Sequence, residues 1–307
     1  MERTTMLLRN LLIRILNDNR PTGVLLSGGV DSSVLTSLSP NLKAITVSLE
    51  SWGDDLGYSR IVARALGIEQ VRVVVDIDRA MAVIPEVIRI LKTFDPAIPN
   101  DLVVYFGLEK AKELGLQNIM TGDASDELFA GYSYMLEMDD LETYIRRISQ
   151  NLHFSSNTIA NHFGIEIIQP FIDADFVKFA LSVDVNLKVR KDKRTVWGKW
   201  ILRKAFENML SQEIIWQDKR PLEYGSGMTK LREIISYKVS DEEFCENPYK
   251  IRFINKEHMY YYKIYKDIFG AVQQCQKEEK QCPGCGVEIE KGAFHCSVCG
   301  WVRDLCV

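Results

Sequence analysis

Residues 23–33, Gly-Val-Leu-Leu-Ser-Gly-Gly-Val-Asp-Ser-Ser, decide how the rest of the chain is read. Val24, Leu25 and Leu26 form an apolar run with the character of a buried strand. It breaks at Ser27-Gly28-Gly29, and a helix is expected to begin near Asp31 or Ser32. Two glycines let the backbone turn sharply and approach a ligand closely. Amides of the turn and of the helix N-terminus then converge on one spot, which suits a phosphate. Ser27, Ser32 and Ser33 add hydroxyl donors. Asp31 departs from a simple anion nest, because a carboxylate beside phosphates needs a cation between them. That points to Mg²⁺. The loop is neither a Walker A motif nor a G-x-G-x-x-G turn.

Working outward, strand-like runs recur at 22–27, 43–49, 71–75 and 117–121, with helical patterns at 32–38, 56–66, 78–92 and 101–114. This alternation predicts an α/β fold, a parallel sheet with helices on both faces. Ligands in such sheets sit at the carboxyl ends of the strands. The segment Thr121-Gly122-Asp123-Ala124-Ser125-Asp126-Glu127 follows the last of these runs and should face the same crevice as the loop at 27–33. Asp126 and Asp31 are placed to share one Mg²⁺ that neutralises a leaving pyrophosphate. On the residues alone, Asp126 and Glu127 serve equally well as favourable charges at the next helix N-terminus.

From 126 to about 210 the pattern is mainly helical. Residues 188–204 hold eight basic side chains against Asp192. They read as a solvated helix and its lead-in, with steering of an anionic substrate as the alternative. The N-terminal 20 residues carry arginines within an apolar pattern and read as an amphipathic helix rather than a signal peptide. Length and the 46% hydrophobic content suit one large domain or two moderate ones with a sizeable core. No run of 18 apolar residues exists, so no membrane span and a cytoplasmic location are expected. The net charge of −4 gives no general attraction to nucleic acid, though it leaves a specific contact open.

The first loop resembles the SGGxDS pyrophosphate loop of N-type ATP pyrophosphatases, which cleave ATP between its α- and β-phosphates and activate a substrate as an adenylate. Thr121-Gly-Asp-Ala-Ser-Asp-Glu-Leu-Phe-Ala-Gly-Tyr132 resembles the GEGSDELFGGY motif of asparagine synthetases. Asn19 to Ser33 is similar to the start of that family's synthetase domain. Gly164-Ile-Glu166 with Pro170-Phe-Ile-Asp173, then Leu202-Arg-Lys-Ala-Phe206, and Lys219 with Gly225-Ser-Gly227, match later family segments in order. The likeness runs from about residue 5 to 235. It implies an adenine nucleotide alpha-hydrolase-like, Rossmann-like fold over residues 1–270. It implies that Ser27, Gly28, Gly29, Asp31, Ser32 and Ser33 hold pyrophosphate. Leu26, Val47 and Gly122, with Thr121 beside it, would border adenine and ribose. Asp31 and Asp126 would bind Mg²⁺, and Asp123 stands where the family often has Glu near the amino-acid substrate. Lys219 matches a lysine that offsets charge in the transition state.

The implied activity is ATP-dependent ligation. A carboxylate, aspartate by default, is adenylated and ammonia gives the amide, AMP and pyrophosphate. Ala124 and Ala130 replace family glycines, and Ile168 or Gln169 stands where the family usually has Arg, which suggests a different acid. Glutamine-hydrolysing members carry an N-terminal Cys and a glutaminase domain. Here Met1 and Glu2 open almost directly onto the synthetase helix and the first cysteine is Cys245. The expectation is therefore free ammonia, a separate glutaminase subunit or another nucleophile. Two alternatives stand beside this reading. A tRNA-modifying or sulfur-transfer pyrophosphatase needs cysteines or a cluster near the loop, and residues 1–244 contain none. A non-catalytic nucleotide-binding adaptor has no need of Asp31, Asp126 and Lys219.

Residues 271–307 are a distinct segment. Cys282-Pro-Gly-Cys285-Gly and Cys296-Ser-Val-Cys299-Gly form a zinc-ribbon pattern in which four thiolates converge on Zn²⁺. A redox pair or an iron–sulfur cluster is the alternative. The balance of basic and acidic residues argues against a phosphate-backbone contact there. His295 is expected to be a bystander, and Cys245, Cys275 and Cys306 to be buried or free thiols. Trp301 and Phe294 are expected to dock the ribbon on the main domain or on a partner.

Overall fold

A computed structural model describes residues 1–192, 195–277, 280–290, 293 and 295–303. Phe294 and Cys306 lie outside the described residues. Strands β1 (Gly23–Leu25), β2 (Lys43–Leu49), β3 (Glu69–Val75), β4 (Asn118–Met120) and β5 (Glu166–Ile168) form one sheet in the order β3-β2-β1-β4-β5. Every neighbouring pair is parallel. Helix α1 (Glu2–Asn19) precedes the sheet. The connections carry α2 (Val30–Ser37), α3 (Asp55–Leu66), and the pair α4 (Ile77–Leu91) and α5 (Ile98–Glu113). No helix among the described residues is long and apolar enough to cross a membrane.

Strand β2 shows why the sheet is covered twice. Its side chains alternate between faces with a period of two. Ala44 joins Val24, Leu26 and the apolar stripe of α1 (Leu8, Leu12, Ile15) in one core cluster. Ile45, Val47 and Leu49 join α4 and α5 in the other. Helices on both faces require strands that are apolar all round.

The sequence reading missed β5. Its three residues, Glu-Ile-Ile, are too short to stand out, and they become a strand only by pairing with Asn118–Met120. Helix α5 begins at Ile98, ahead of the expected 101, with Pro99 in its first turn. The reading of 188–204 as a solvated helix is overturned. Arg190–Asp192 and Thr195–Trp197 pair as an antiparallel hairpin, and the helix starts at Trp200. Lys188, Lys199 and Arg203 are buried.

The cysteine-rich segment packs against the sheet's second core. Cys282, Cys285, Cys296 and Cys299 share the cluster that contains Ile45, Val47 and Phe94. Phe94 N donates to Val298 O at 2.8 Å and Thr93 Oγ1 donates to the same carbonyl at 3.1 Å. Arg252 N donates to Gly284 O at 2.8 Å. Trp301 packs on this cluster, and His295 Nε2 lies 3.0 Å from Asp95 Oδ2. Cys245 is exposed and Cys275 half-buried.

Candidate active site

Strands β1 and β4 are neighbours, but the chain leaves β1 toward β2 and leaves β4 toward β5. The crevice between their carboxyl ends is therefore the topological switch point, where open α/β sheets bind ligands. Leu26 N still donates to Ile45 O at 2.9 Å, and then the chain turns. Gly28 has φ 78°, and a Cβ there would overlap the backbone of Tyr58 and Ser59. Only glycine meets both demands. The Ser27 hydroxyl lies 3.2 Å from that of Ser32 and accepts from Gly29 N at 3.2 Å. Ser33 is fully buried and its hydroxyl has no hydrogen-bond partner among the described residues.

Beyond β4, Ser125 and Asp126 open the short helix α6 (Ser125–Phe129), which is bracketed by Ala124 at φ 74° and Ala130 at φ 56°. These left-handed positions explain why glycine is usual in the related motif. Alanine adopts them only at a cost of about 1–2 kcal/mol. The turn delivers Ser125 Oγ to within 2.6 Å of Asp31 Oδ1, to which it donates. Asp31 Oδ2 lies 2.6 Å from Lys199 Nζ. The same ammonium is 2.7 Å from Asp126 Oδ1, while Lys219 Nζ donates to Asp126 Oδ2 at 2.7 Å. Asp31, Asp126 and Lys219 thus come together as expected from sequence. Lys199, absent from the expected set, stands between the two carboxylates.

Electrostatics follow from this geometry. Burial alone would push the Asp126 carboxyl up, but Lys199 and Lys219 outweigh it and hold it below the usual carboxylate range. Burial would likewise depress the Lys219 ammonium. The facing Asp126 and, further off, Asp31 raise it instead. Glu127 is raised, by burial first and by Asp126 second, and accepts from Tyr132 Oη at 2.7 Å. Gly131 leaves room for the pair, since a Cβ there would overlap Asp126 Oδ1 and Lys199 Cε.

One buried side chain sets both lysines. Arg203 donates from Nε to Gly198 O at 3.0 Å and from Nη1 to Gln217 O at 3.0 Å, and also to Ile215 O. Its bonds clamp the turns that carry Lys199 and Lys219, which gives the Leu-Arg-Lys-Ala-Phe motif a structural purpose.

A cavity of about 170 Å³ opens beside the loop. Leu25, Ile45, Val47, Val103, Val104 and Leu222 make an apolar wall, suited to a flat base. Ser27, Asp31, Ser32, Thr121, Asp123 and Ser156 make a polar floor, with Leu26 and Gly122 at the join. Asp123 Oδ2 accepts from Thr121 Oγ1 at 2.7 Å, Ser156 Oγ at 2.8 Å and Gln169 Nε2 at 2.7 Å. Ile168 is buried in the core, so Gln169 is the residue that faces the site where the related motif has Arg. A wider open groove of about 740 Å³ lies between Arg146 and Lys178 and carries none of the candidate residues.

The four cysteine ligand atoms all lie within 4.8 Å of one another and are buried. Cys282 and Cys299 Sγ are 3.6 Å apart, and Cys285 and Cys296 Sγ are 3.9 Å apart. A tetrahedron with zinc–sulfur bonds of about 2.3 Å has edges of about 3.8 Å. The set therefore fits Zn²⁺. His295 is held by Asp95 instead of joining the four.

The protein is of the open parallel α/β sheet class, with a serine–glycine loop and a facing acidic turn at its switch point. The Asparagine synthase family model matches residues 5–153 and 138–282, and the chain belongs to that family. It is 30% identical over 241 residues to the glutamine-hydrolyzing asparagine synthetase of Triphysaria versicolor, covering 70% of this chain and 41% of that one. It is 27% identical over 290 residues to asparagine synthetase 1 of Arabidopsis thaliana, covering 85% and 50%. The chain thus spans about half the length of the curated relatives it matches. Among solved structures, NMN synthetase from Francisella tularensis aligns with a TM-score of 0.39 at 15% identity, covering 90% of this chain and 98% of that one.

Proposed function

We propose that the chain is an ATP-dependent amide ligase which adenylates a carboxylate, aspartate by default, and transfers ammonia to it. The observation that carries this reading is the Lys199–Asp126–Lys219 cluster and Asp31 beside a phosphate loop and an apolar-walled cavity. A carboxylate oxygen of the acid attacks the α-phosphorus of ATP, and the bond to the bridging oxygen breaks to release pyrophosphate. Ammonia then attacks the acyl carbon, and AMP leaves. Ser27, Gly28, Gly29, Ser32 and Ser33 bind the pyrophosphate, while Leu26, Val47, Thr121 and Gly122 border adenine and ribose. Lys219 and Lys199 offset charge that grows on the phosphates. Asp123, fixed through one oxygen, orients the acid.

Asp31 and Asp126 fit Mg²⁺, because two hard carboxylates already converge on one cation. There the ion would supply charge neutralisation for the leaving pyrophosphate. Cys282, Cys285, Cys296 and Cys299 would hold a structural Zn²⁺. The reading carries with it a cytoplasmic protein, residues 1–270 as the catalytic unit, residues 271–307 as a ribbon, and ammonia taken free or from a separate glutaminase subunit. Acid-dependent exchange of pyrophosphate into ATP tests it. Asp31→Asn and Asp126→Asn are each expected to lose about 100-fold or more in exchange while remaining folded. Exchange at wild-type rates in both variants would remove the assignment. Ammonium should support amide formation by residues 1–307.

A further inference from the structure

Arg220 follows Lys219, and no role above uses it. Its guanidinium carbon sits 3.7 Å from the centre of the Tyr58 ring. Nη2 donates to Gln217 Oε1 at 2.8 Å and comes only to 3.8 Å from Asp55 Oδ1. All three partners border the phosphate loop. The Tyr58 and Ser59 backbone presses against Gly28, Gln217 Nε2 donates to Gly28 O at 2.8 Å, and Asp55 lines the nucleotide cavity.

The arginine is poorly satisfied where it rests. Its buried Nε has no hydrogen-bond partner among the described residues. The 3.8 Å approach to Asp55 is longer than a charge-assisted hydrogen bond, which runs at about 2.7–2.9 Å. Asp55 is also a weak anchor. Burial pushes its carboxyl up to about 7, and Arg220 counters only part of that. A guanidinium with an idle donor, stacked on a ring beside a phosphate loop, matches the fork geometry that binds two phosphate oxygens at once.

We propose that Arg220 is a third cation of the nucleotide site, parked on Tyr58 and Asp55 in the free protein and turned onto the pyrophosphate end of ATP when the nucleotide binds. This rests on the reading of the site as one for ATP. In the free protein Lys199 and Lys219 face the Asp31 and Asp126 carboxylates. Arg220 instead flanks Gly28 on the loop assigned to the β- and γ-phosphates.

Titration calorimetry on the intact chain with Mg²⁺ and, in turn, ATP, pyrophosphate and AMP tests the proposal. Arg220→Gln should weaken ATP and pyrophosphate by about tenfold or more and leave AMP within about twofold. Arg220→Lys keeps the charge and loses the fork, so it should fall between wild type and the Gln variant for ATP and match wild type for AMP. Should the Gln variant not fold, the same ordering in the Lys variant carries the test. Unchanged ATP affinity in both variants, or an equal loss for AMP and ATP, would overturn the role of Arg220 while leaving the nucleotide site intact. A wild-type chain that binds AMP and ATP not at all would remove the nucleotide reading itself, and this inference with it.

Discussion

Replacing Lys199 by Met tests what holds the two acidic residues of the crevice together. Met keeps most of the side chain's length and apolar stem and deletes the charge. The Lys199 side chain is 3% exposed, and its ammonium lies 2.6 Å from Asp31 and 2.7 Å from Asp126. At an effective dielectric of about 20, each contact represents roughly 6 kcal/mol of gross attraction. Desolvation of three buried charges offsets most of that, and deleting one partner of a buried pair typically costs about 3–5 kcal/mol. Lys219 still faces Asp126 at 2.7 Å, so the expected loss is at the lower end, about 3 kcal/mol. That is a large share of the 5–15 kcal/mol that holds an ordinary protein folded. Urea unfolding at pH 7 measures it. The sign with pH is also determined. The folded-state pKa of Asp126 is depressed, so its contribution is present above the unfolded value of about 3.9 and is lost as the pH falls below it. The gap between wild type and variant should therefore narrow from about pH 4 and close near pH 2. Millimolar Mg²⁺ should restore part of the variant's stability at pH 7 by taking the vacated place between the carboxylates. A loss under about 1 kcal/mol at pH 7, or a gap that is undiminished at about pH 2, would show that Lys199 does not neutralise this pair.

Ala124→Gly should stabilise the protein by about 0.5–1 kcal/mol in the same urea assay, because relief of the left-handed strain exceeds the entropy that glycine adds to the unfolded chain. One zinc per chain is expected by metal analysis, and Cys296→Ser should abolish it. Loss of the metal should lower Tm by roughly 5 °C or more, since the anchors on Thr93 and Phe94 go with the ribbon. Gln169→Ala should loosen Asp123 by removing one of its three donors. It should raise KM for the acid about tenfold with little change in KM for ATP, and equal changes in both would place Gln169 outside acid recognition.

Much of the crevice is legible in the sequence because its backbone demands are local. Ser27-Gly28-Gly29 announces a turn, Asp31 a carboxylate at the helix start, and residues 121–127 a second strand end, and all of these meet at the switch point. Lys199 is illegible for the opposite reason. It sits among seven other basic residues whose ordinary state is solvated, and only the hairpin before it and Arg203 beneath it turn it inward. Strand β5 exists only through its pairing with β4, a contact with no local signal. The ribbon's ligands are plain from spacing, whereas its docking on Phe94 depends on a surface formed some 200 positions earlier.

That docking has a kinetic consequence. The bond from Thr93 to Val298 closes a loop of 205 residues, and closures of this size cost on the order of 4–5 kcal/mol of chain entropy. During synthesis the sheet can assemble as soon as Glu166–Ile168 emerges, well before residues 280–303 exist. With zinc bound by the four thiolates as proposed, the Thr93–Asp95 turn between α4 and α5 lacks its last cover until the metal has organised the ribbon. Metal supply then sets the pace of the last folding step. A chain starved of zinc accumulates with its crevice formed and the turn at Thr93–Asp95 uncovered, which is the segment that a protease would find first.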